Sequence, residues 1–137
     1  MNADDNPVTN KQLVQSLYSA FGRRDIPAIL AMLSPDVEWR EPNNPYNPAA
    51  GSWQGLAGFL KWVQIGNQAE EILSLEPRQF IAQGNSVAVV GYMKIRARAT
   101  QKVYESDWVH LVTIEGGKIE KFQEFFDTYA AGEAFRP

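Results

Sequence analysis

The chain contains no cysteine and a single histidine, His110. The absence of cysteine excludes disulfide bridges, thiolate metal sites and a cysteine nucleophile. One histidine alone also excludes a metal site built from several imidazoles. We therefore expect no metal in this protein.

Strong charge and long apolar runs are absent too. The net charge is −3 and the basic residues are scattered, whereas a nucleic-acid surface usually shows a basic stripe. No apolar run approaches the roughly 18 residues of a membrane span. The first ten residues are polar and acidic, unlike a signal peptide. We expect no nucleic-acid partner, no membrane association and a cytoplasmic location.

Motifs of common catalytic sites are also missing. The glycine pairs lack the Gly-x-x-x-x-Gly-Lys context of a phosphate loop. No Gly-x-Ser-x-Gly elbow is present, and the serines have no evident His–Asp partnership. These absences remove nucleotide hydrolysis and the usual serine hydrolases from consideration.

What the chain does contain suits one small domain. Its 137 residues predict a single domain over 1–137, with a flexible tail at 1–8. The 7 Phe, 5 Tyr and 4 Trp are many for this length. Such large rings must mostly fill a core, and some of them could line a ligand cavity.

The periodicity of apolar residues changes along the chain. Helical spacing begins after a capping box at Thr9 and Gln12 and ends at Gly22, and Asp25 caps a second short helix that Ser34-Pro35-Asp36 stops. A short strand, a proline-rich loop and a third helix follow, and from residue 70 the period is two. Predicted strands cover 37–41, 70–81, 87–99, 103–114 and 118–126, before a last helix capped by Asp127.

This order predicts an α+β fold in which helices cover one face of a curved antiparallel sheet. Long strands bent around a few helices form a cone, and the mouth of a cone is a natural ligand pocket.

The hairpin of the last two strands carries the most suggestive polar pair. His110 alternates in phase with Trp108 and Val112, and Glu124 alternates in phase with Phe122 and Phe126. Both side chains are therefore expected to face inward and to lie close together. A carboxyl group beside an imidazole forms either an acid–base pair or a structural ion pair, and the pattern leaves both open. A packed histidine and a solvated glutamate are the plainer alternatives.

Glu41 is a third candidate, because it ends a strand whose inward residues are Val37 and Trp39. A solvated carboxylate at a strand end is its alternative reading, and Asp127 reads better as a helix cap than as a catalyst. Aromatic side chains expected around a ligand, or simply in the core, are Tyr18, Trp39, Trp53, Trp62, Trp108, Phe122 and Phe126.

Three segments together carry a family resemblance: FGRRDIPAILAMLSPDVEW (21–39), WQG (53–55), and DWVH (107–110) with FQEFFDT (122–128). They resemble the SnoaL-like polyketide cyclases, a family of the ketosteroid-isomerase-like superfamily with the nuclear-transport-factor-2-like cone fold. The resemblance covers about residues 10–135. That superfamily includes isomerases, cyclases, epoxide hydrolases, dehydratases and non-catalytic binders.

The resemblance also assigns roles to residues. His110 matches the histidine of the cyclases, and Glu124 matches their acid–base aspartate with a side chain one methylene longer. Glu41 matches the general-base aspartate of ketosteroid isomerases, and the oxyanion-hole tyrosine of those enzymes falls at Leu17, next to Tyr18. Family members usually form homodimers through the outer face of the sheet, which here implies a polar interface with Tyr92, Lys94, Arg96 and Arg98.

Two functional hypotheses follow. The first is a cofactor-independent enzyme that moves a proton next to a carbonyl group of a small apolar compound, with Glu124 as base or acid, His110 as its partner and Glu41 as a further polar group. The second is a non-catalytic module that binds an apolar molecule or dimerises. A His110–Glu124 pair facing an open cavity favours the first, and a pair sealed beneath Trp108 and Phe126 favours the second.

Overall fold

The computed structural model describes residues 6–137. In chain order the elements are α1 (Pro7–Gly22), α2 (Ile26–Met32), β1 (Leu33–Glu41), β2 (Gly51–Gln54), α3 (Gly55–Ala69), β3 (Glu70–Gln83), β4 (Ser86–Ala97), β5 (Val103–Glu115), β6 (Lys118–Phe126) and α4 (Thr128–Phe135). Pro7 and Val8, which the sequence placed in a tail, form the first turn of α1. The rest of that predicted tail lies largely outside the described residues.

One six-stranded sheet forms the body of the fold, in the order β2-β1-β6-β5-β4-β3. Strands β3 to β6 make the antiparallel meander that the sequence predicts. Strand β1 joins the other edge of β6 in parallel, and the short strand β2 then pairs with β1 in the antiparallel sense. The sheet is curved and does not close, so its concave face and the helices enclose the core, as the α+β cone prediction requires.

Helix starts depend on short polar side chains. Asp25 accepts a hydrogen bond from the backbone N–H of Ala28, and Asp127 accepts one from Ala130, so both predicted caps are confirmed. The capping box expected at Thr9 and Gln12 is wrong, because Asn6 caps α1 three residues earlier. Helix α2 ends at Met32, since residues 33–36 already belong to β1 rather than to a turn.

The inner face of the sheet is apolar and aromatic. Trp39 on β1 is fully buried and stacks on Phe122 of β6, with ring centroids 3.9 Å apart. Phe59 of α3 packs edge-on against Trp39 at 4.7 Å. These contacts join α3 to the sheet, and Trp39 and Phe122 form part of one wall of the space described below.

Gly91 on β4 permits a close approach within the sheet. It lies opposite Trp108 of β5 in the strand register. A Cβ atom at position 91 would overlap the Trp108 indole and lie 2.5 Å from the carbonyl oxygen of Glu76. The missing side chain therefore lets the indole pack against the β4 backbone at position 91.

Among residues 6–137, no helix is long and apolar enough to cross a membrane.

Candidate functional site

A cavity of about 100 Å³ lies between the concave face of the sheet and the helices, and we call it the inner chamber. Most of its wall is apolar or aromatic, whereas its polar side chains are few and converge on the same space. The lining residues are Tyr18, Phe21, Trp39, Glu41, Trp62, Glu70, Ile72, Leu75, Met93, Ile95, Tyr104, His110, Phe122, Glu124 and Phe126.

His110 is held between aromatic rings. The indole of Trp108 stacks on it at 4.0 Å, and the Tyr18 hydroxyl lies 2.6 Å from its Nδ1. Burial lowers the pKa of His110 to about 3, so the imidazole is neutral at physiological pH. Burial, reinforced by the nearby Glu124, also raises the pKa of Tyr18, and its hydroxyl therefore stays protonated.

Glu124 faces His110 directly across the β5–β6 hairpin, as the alternation predicts. Its Oε2 lies 3.6 Å from Nε2 of His110. This separation would suit an ion pair, but burial raises the pKa of Glu124 to about 8 and both groups are then neutral at pH 7. The pair faces the chamber, with Trp108 behind the imidazole on the side away from the cavity.

Glu41 enters the chamber from the end of β1, and its carboxyl group is firmly held. Asn47 donates a side-chain N–H to Oε2 at 2.5 Å, and Trp62 donates its indole N–H to Oε1 at 3.0 Å. Burial, followed by repulsion from Glu124, raises the pKa of Glu41 to about 8, while the two N–H donors oppose that rise. The loop 42–50 therefore serves the site, because it supplies Asn47.

Glu70, the first residue of β3, is a site residue that the sequence reading missed. Glu70 is partly buried, and its carboxyl group lines the chamber. Burial and then repulsion from Glu41 and Glu124 raise its pKa to about 8, while attraction to Arg98 opposes that rise. Alternation along β3 did not identify Glu70, because a bulge between Ile72 and Ser74 shifts the alternation of inward and outward side chains. Both Ile72 and Leu75 therefore line the chamber.

Tyr104 on β5 is a second missed residue. It is in phase with Trp108 and His110, and that alternation could have identified it. Burial raises the pKa of its hydroxyl, which therefore remains protonated.

The predicted aromatic residues divide into two groups. Tyr18, Trp39, Trp62, Phe122 and Phe126 line the inner chamber. Trp108 supports His110 from behind, and Trp53 lies on the edge strand β2, where its indole N–H donates to the carbonyl oxygen of Ala49. Neither of these two indoles belongs to the chamber wall.

A second space of about 280 Å³, the outer chamber, adjoins the first. The two chambers share the residues Phe21, Glu41, Trp62, Glu70 and Ile72. The outer chamber also contains charged side chains, among them Arg24, Glu71 and Arg98. A molecule longer than the inner chamber could therefore extend past Glu70 toward solvent.

The acidic side chains do not converge on a single point. In the part of the chain that the structure describes, no group of three or more His, Asp or Glu residues is placed to hold a metal ion. The polar side chains around the inner chamber instead present neutral carboxyl groups, a neutral imidazole and protonated hydroxyls. Of these, the carboxyl groups have pKa values of about 8 and can exchange protons with an organic ligand near neutral pH, whereas the imidazole and the hydroxyls do not titrate there.

Comparison with known proteins agrees with this architecture. The SnoaL-like domain family matches residues 14–122. A nuclear-transport-factor-2-like protein of Burkholderia xenovorans LB400 has 33% sequence identity and a TM-score of 0.89, covering 96% of this chain and 99% of that one. TerC, crystallised with polyporic acid, has 30% identity and a TM-score of 0.80, covering 94% of this chain and 99% of that one.

Two further similarities are more distant. A Pseudomonas putida KT2440 protein described as a polyketide cyclase shares the fold at 21% identity and a TM-score of 0.72, covering 92% of this chain and 97% of that one. An uncharacterised protein of Mycobacterium tuberculosis is 26% identical over 123 residues, which cover 90% of this chain and 92% of the relative.

Proposed function

The chain belongs to the SnoaL-like domain family, and from that premise we propose a cofactor-independent acid–base enzyme that acts on a small, mostly apolar carbonyl compound. One observation carries the proposal. Two carboxyl groups, those of Glu41 and Glu124, face the same apolar chamber but have different hydrogen-bonding surroundings. Such a difference lets one carboxyl group act as base while the other stays protonated.

Glu41 is the proposed base. The N–H groups of Asn47 and Trp62 both donate to it, and such donors favour the ionised form of a carboxyl group. They also fix the orientation of the group. In the proposed reaction Glu41 acts in its ionised form, which a carboxyl group with a pKa of about 8 populates in part near neutral pH, and removes a proton from the carbon next to the substrate carbonyl.

Glu124 is the proposed acid. It receives no N–H hydrogen bond of the kind that holds Glu41, and an apolar site can keep a carboxyl group neutral so that it donates to a developing oxyanion. Tyr18 can donate its hydroxyl hydrogen to Nδ1 of His110, which leaves the imidazole proton on Nε2, toward Glu124. The imidazole then orients Glu124 without taking its proton.

The proton balance defines the reaction class. The substrate C–H proton moves to Glu41, and the resulting enolate oxygen is stabilised by the hydrogen bond from Glu124. Return of the proton from Glu41 to a different carbon completes an isomerisation. Attack of the enolate carbon on a second carbonyl group, which takes up the proton, completes an aldol-type ring closure.

One relative supports the proposal that the chamber binds a small organic molecule. TerC, at 30% identity, was co-crystallised with polyporic acid, which supports a small organic occupant for the chamber of this chain as well.

The test is exchange of substrate protons with solvent. We expect a panel of small cyclic ketones in D₂O to include compounds whose α-hydrogens are replaced by deuterium, as followed by proton NMR, when the wild-type protein is added. Glu41→Gln should slow this exchange by about 10²–10⁴-fold, because the proton acceptor is lost. Glu120→Gln, on the exposed side of β6, is the matched control.

Exchange that persists unchanged in Glu41→Gln would contradict the proposed base. Saturable ketone binding with no exchange in any variant would contradict catalysis, and would instead favour the non-catalytic binding module.

We also propose that the chain forms a homodimer through the outer face of the sheet. Val109, Leu111 and Phe125 are exposed there, and Val109 and Phe125 are neighbours in the strand register. This face is therefore more apolar at its centre than the Tyr92 to Arg98 stretch of the sequence indicated. Phe125→Lys should reduce a species of twice the 15.4 kDa chain mass to the monomer in light scattering, whereas a wild-type monomer would refute the dimer.

A further inference from the structure

The ionisable side chains that line the inner chamber include acidic residues but no Lys or Arg among residues 6–137. Glu41, Glu70 and Glu124 reach it from three different strands. Arg24 and Arg98 line only the outer chamber. Arg98 donates to the carbonyl oxygen of Asn67 at 3.0 Å, so part of its hydrogen-bonding capacity is already used.

Among the three carboxyl groups, that of Glu70 accepts no hydrogen bond from residues 6–137, and Arg98 of the outer chamber acts on it only through its charge. Glu41 accepts two N–H hydrogen bonds, and Glu124 lies beside the His110 imidazole. In the part of the chain that the structure describes, no donor forms a hydrogen bond with the Glu70 carboxyl group, although it is partly buried and faces both chambers. A buried carboxyl group without a partner is costly, and a ligand that pairs with it removes that cost.

The walls of the chamber also favour one kind of ligand charge. Indole, phenol and phenyl rings attract cations through their negative faces. The chamber contains Trp39 and Trp62 near Glu41, and Phe122, Phe126 and Tyr104 complete the aromatic wall. Because the acidic groups are not arranged to chelate a metal ion, the space between them suits an organic cation instead.

We propose that the inner chamber binds a small lipophilic ammonium compound, with Glu70 as its counter-ion. The inference deepens the proposed function, and rests on it for turnover, because it adds a cationic nitrogen to the carbonyl substrate. Ligand binding itself requires only the chamber and its charges.

Proton release gives the proposal a quantitative signature. A cation favours the ionised form of Glu70, so binding below the carboxyl pKa releases a proton. The titratable and charged groups facing Glu70 or sharing its chambers are Glu41 from β1, Glu71 from β3, Arg98 after β4, Tyr104 and His110 from β5, Glu124 from β6, and Tyr18 and Arg24 at α1. A permanently charged ligand contributes no proton, so every released proton comes from these protein groups.

The experiment compares three probes of similar shape by isothermal titration calorimetry at pH 7. They are trimethyl(2-phenylethyl)ammonium, the neutral ketone 4-phenylbutan-2-one and the anion 3-phenylpropanoate. We expect the ammonium probe to bind at least about tenfold more tightly than the ketone. Titrations in buffers of different ionisation enthalpy should show release of up to about one proton per ligand, and the affinity should rise by up to about tenfold per pH unit from pH 6 to 7.

Glu70→Gln keeps the shape of the side chain and removes its charge. It should bind the ammonium probe about tenfold more weakly and release less proton, while its ketone affinity stays the same. The matched control is Glu76→Gln, an exposed glutamate on the same strand, which should behave as wild type. If Glu70→Gln does not fold, the wild-type affinities and proton release still decide the inference.

Three results would overturn the inference: equal binding of ammonium and ketone, tighter binding of the carboxylate, or unaltered ammonium binding by Glu70→Gln. Failure of the proposed function looks different, because α-proton exchange would be absent while the ammonium probe still bound.

Discussion

The two sides of the inner chamber use the same residue type in opposite ways. On the β1–α3 side, Glu41 is held by Asn47 and Trp62, both within 21 residues of it along the chain. On the β5–β6 side, Glu124 meets His110, whose other nitrogen contacts Tyr18, 92 residues away from His110. Both carboxyl groups are buried and have pKa values of about 8, so burial does not distinguish them. Their partners do, since two N–H donors form hydrogen bonds with Glu41, whereas the imidazole nitrogen nearest Glu124 lies 3.6 Å away, beyond hydrogen-bonding distance.

The largest predicted effect is on α-proton exchange, and the same Glu→Gln substitution should affect it differently on the two sides of the chamber. Glu41→Gln removes the proposed base and should reduce α-proton exchange by about 10²–10⁴-fold. Glu124→Gln replaces a neutral donor by an amide N–H, which can still donate, and should cost only about tenfold. Glu124→Leu, which cannot donate, should cost about 10²–10³-fold. Rates measured by NMR for the three variants test this order.

The reverse order, with Glu124→Gln the more damaging variant, would assign the base to the β5–β6 side. It would leave Glu41 as the supporting group.

The next effect is on stability and follows from the raised carboxyl pKa values. In the folded chain the pKa of Glu124 is about 8 instead of the ordinary 4.5, so between these values the folded state binds more protons than the unfolded state. Stability must therefore fall as the pH rises through this window. Between pH 6.5 and 8 the fall should reach about 2 kcal/mol for one such carboxyl group, as measured by urea unfolding.

Glu124→Gln should reduce this slope, and Glu120→Gln should not. His110 acts in the opposite direction at lower pH, because its pKa of about 3 lies below the ordinary 6.5. Its contribution is complete above pH 6.5 and is lost as the pH falls toward 3, so it does not affect the slope between pH 6.5 and 8. A stability that rises between pH 6.5 and 8 would contradict buried neutral carboxyl groups.

The smallest predicted effect concerns the His110 imidazole, which is unique in the chain and thus easily followed by NMR. Its ring signals should show no titration between pH 5 and 8, because burial keeps it neutral. Tyr18→Phe removes the hydroxyl at Nδ1, so the ring should lose its single tautomer and exchange should slow by only a few-fold. A titration near pH 6.5 in the wild-type protein would show that the imidazole is accessible to water and not locked in place.

The sequence predicted the β5–β6 side of the chamber better than the opposite side. Alternation along one hairpin is a local signal, and it correctly placed His110 opposite Glu124. Tyr18 faces the chamber although the residue that matches the isomerase tyrosine is Leu17, which lies fully in the core. The rotation of a helix about its axis depends on tertiary packing, and no local pattern fixes it.

Local sequence patterns did not predict the surroundings of Glu41 or the position of Glu70. Glu41 was a candidate from its strand, but its partner Asn47 lies in a proline-rich loop without periodicity. Glu70 was missed because the bulge after Ile72 changes the phase of β3. The parallel pairing of β1 with β6 joins residues 83 to 86 positions apart, and such a long-range contact leaves no trace in short-range alternation.

Gly91 links the backbone of β4 to the imidazole in the chamber. Its bare Cα accommodates the Trp108 indole, and that ring stacks on His110. Positions 91 and 108 should therefore covary among relatives: wherever evolution places a side chain at 91, a smaller residue must stand at 108. The ring that stacks on His110 should therefore change in evolution only together with the residue at position 91.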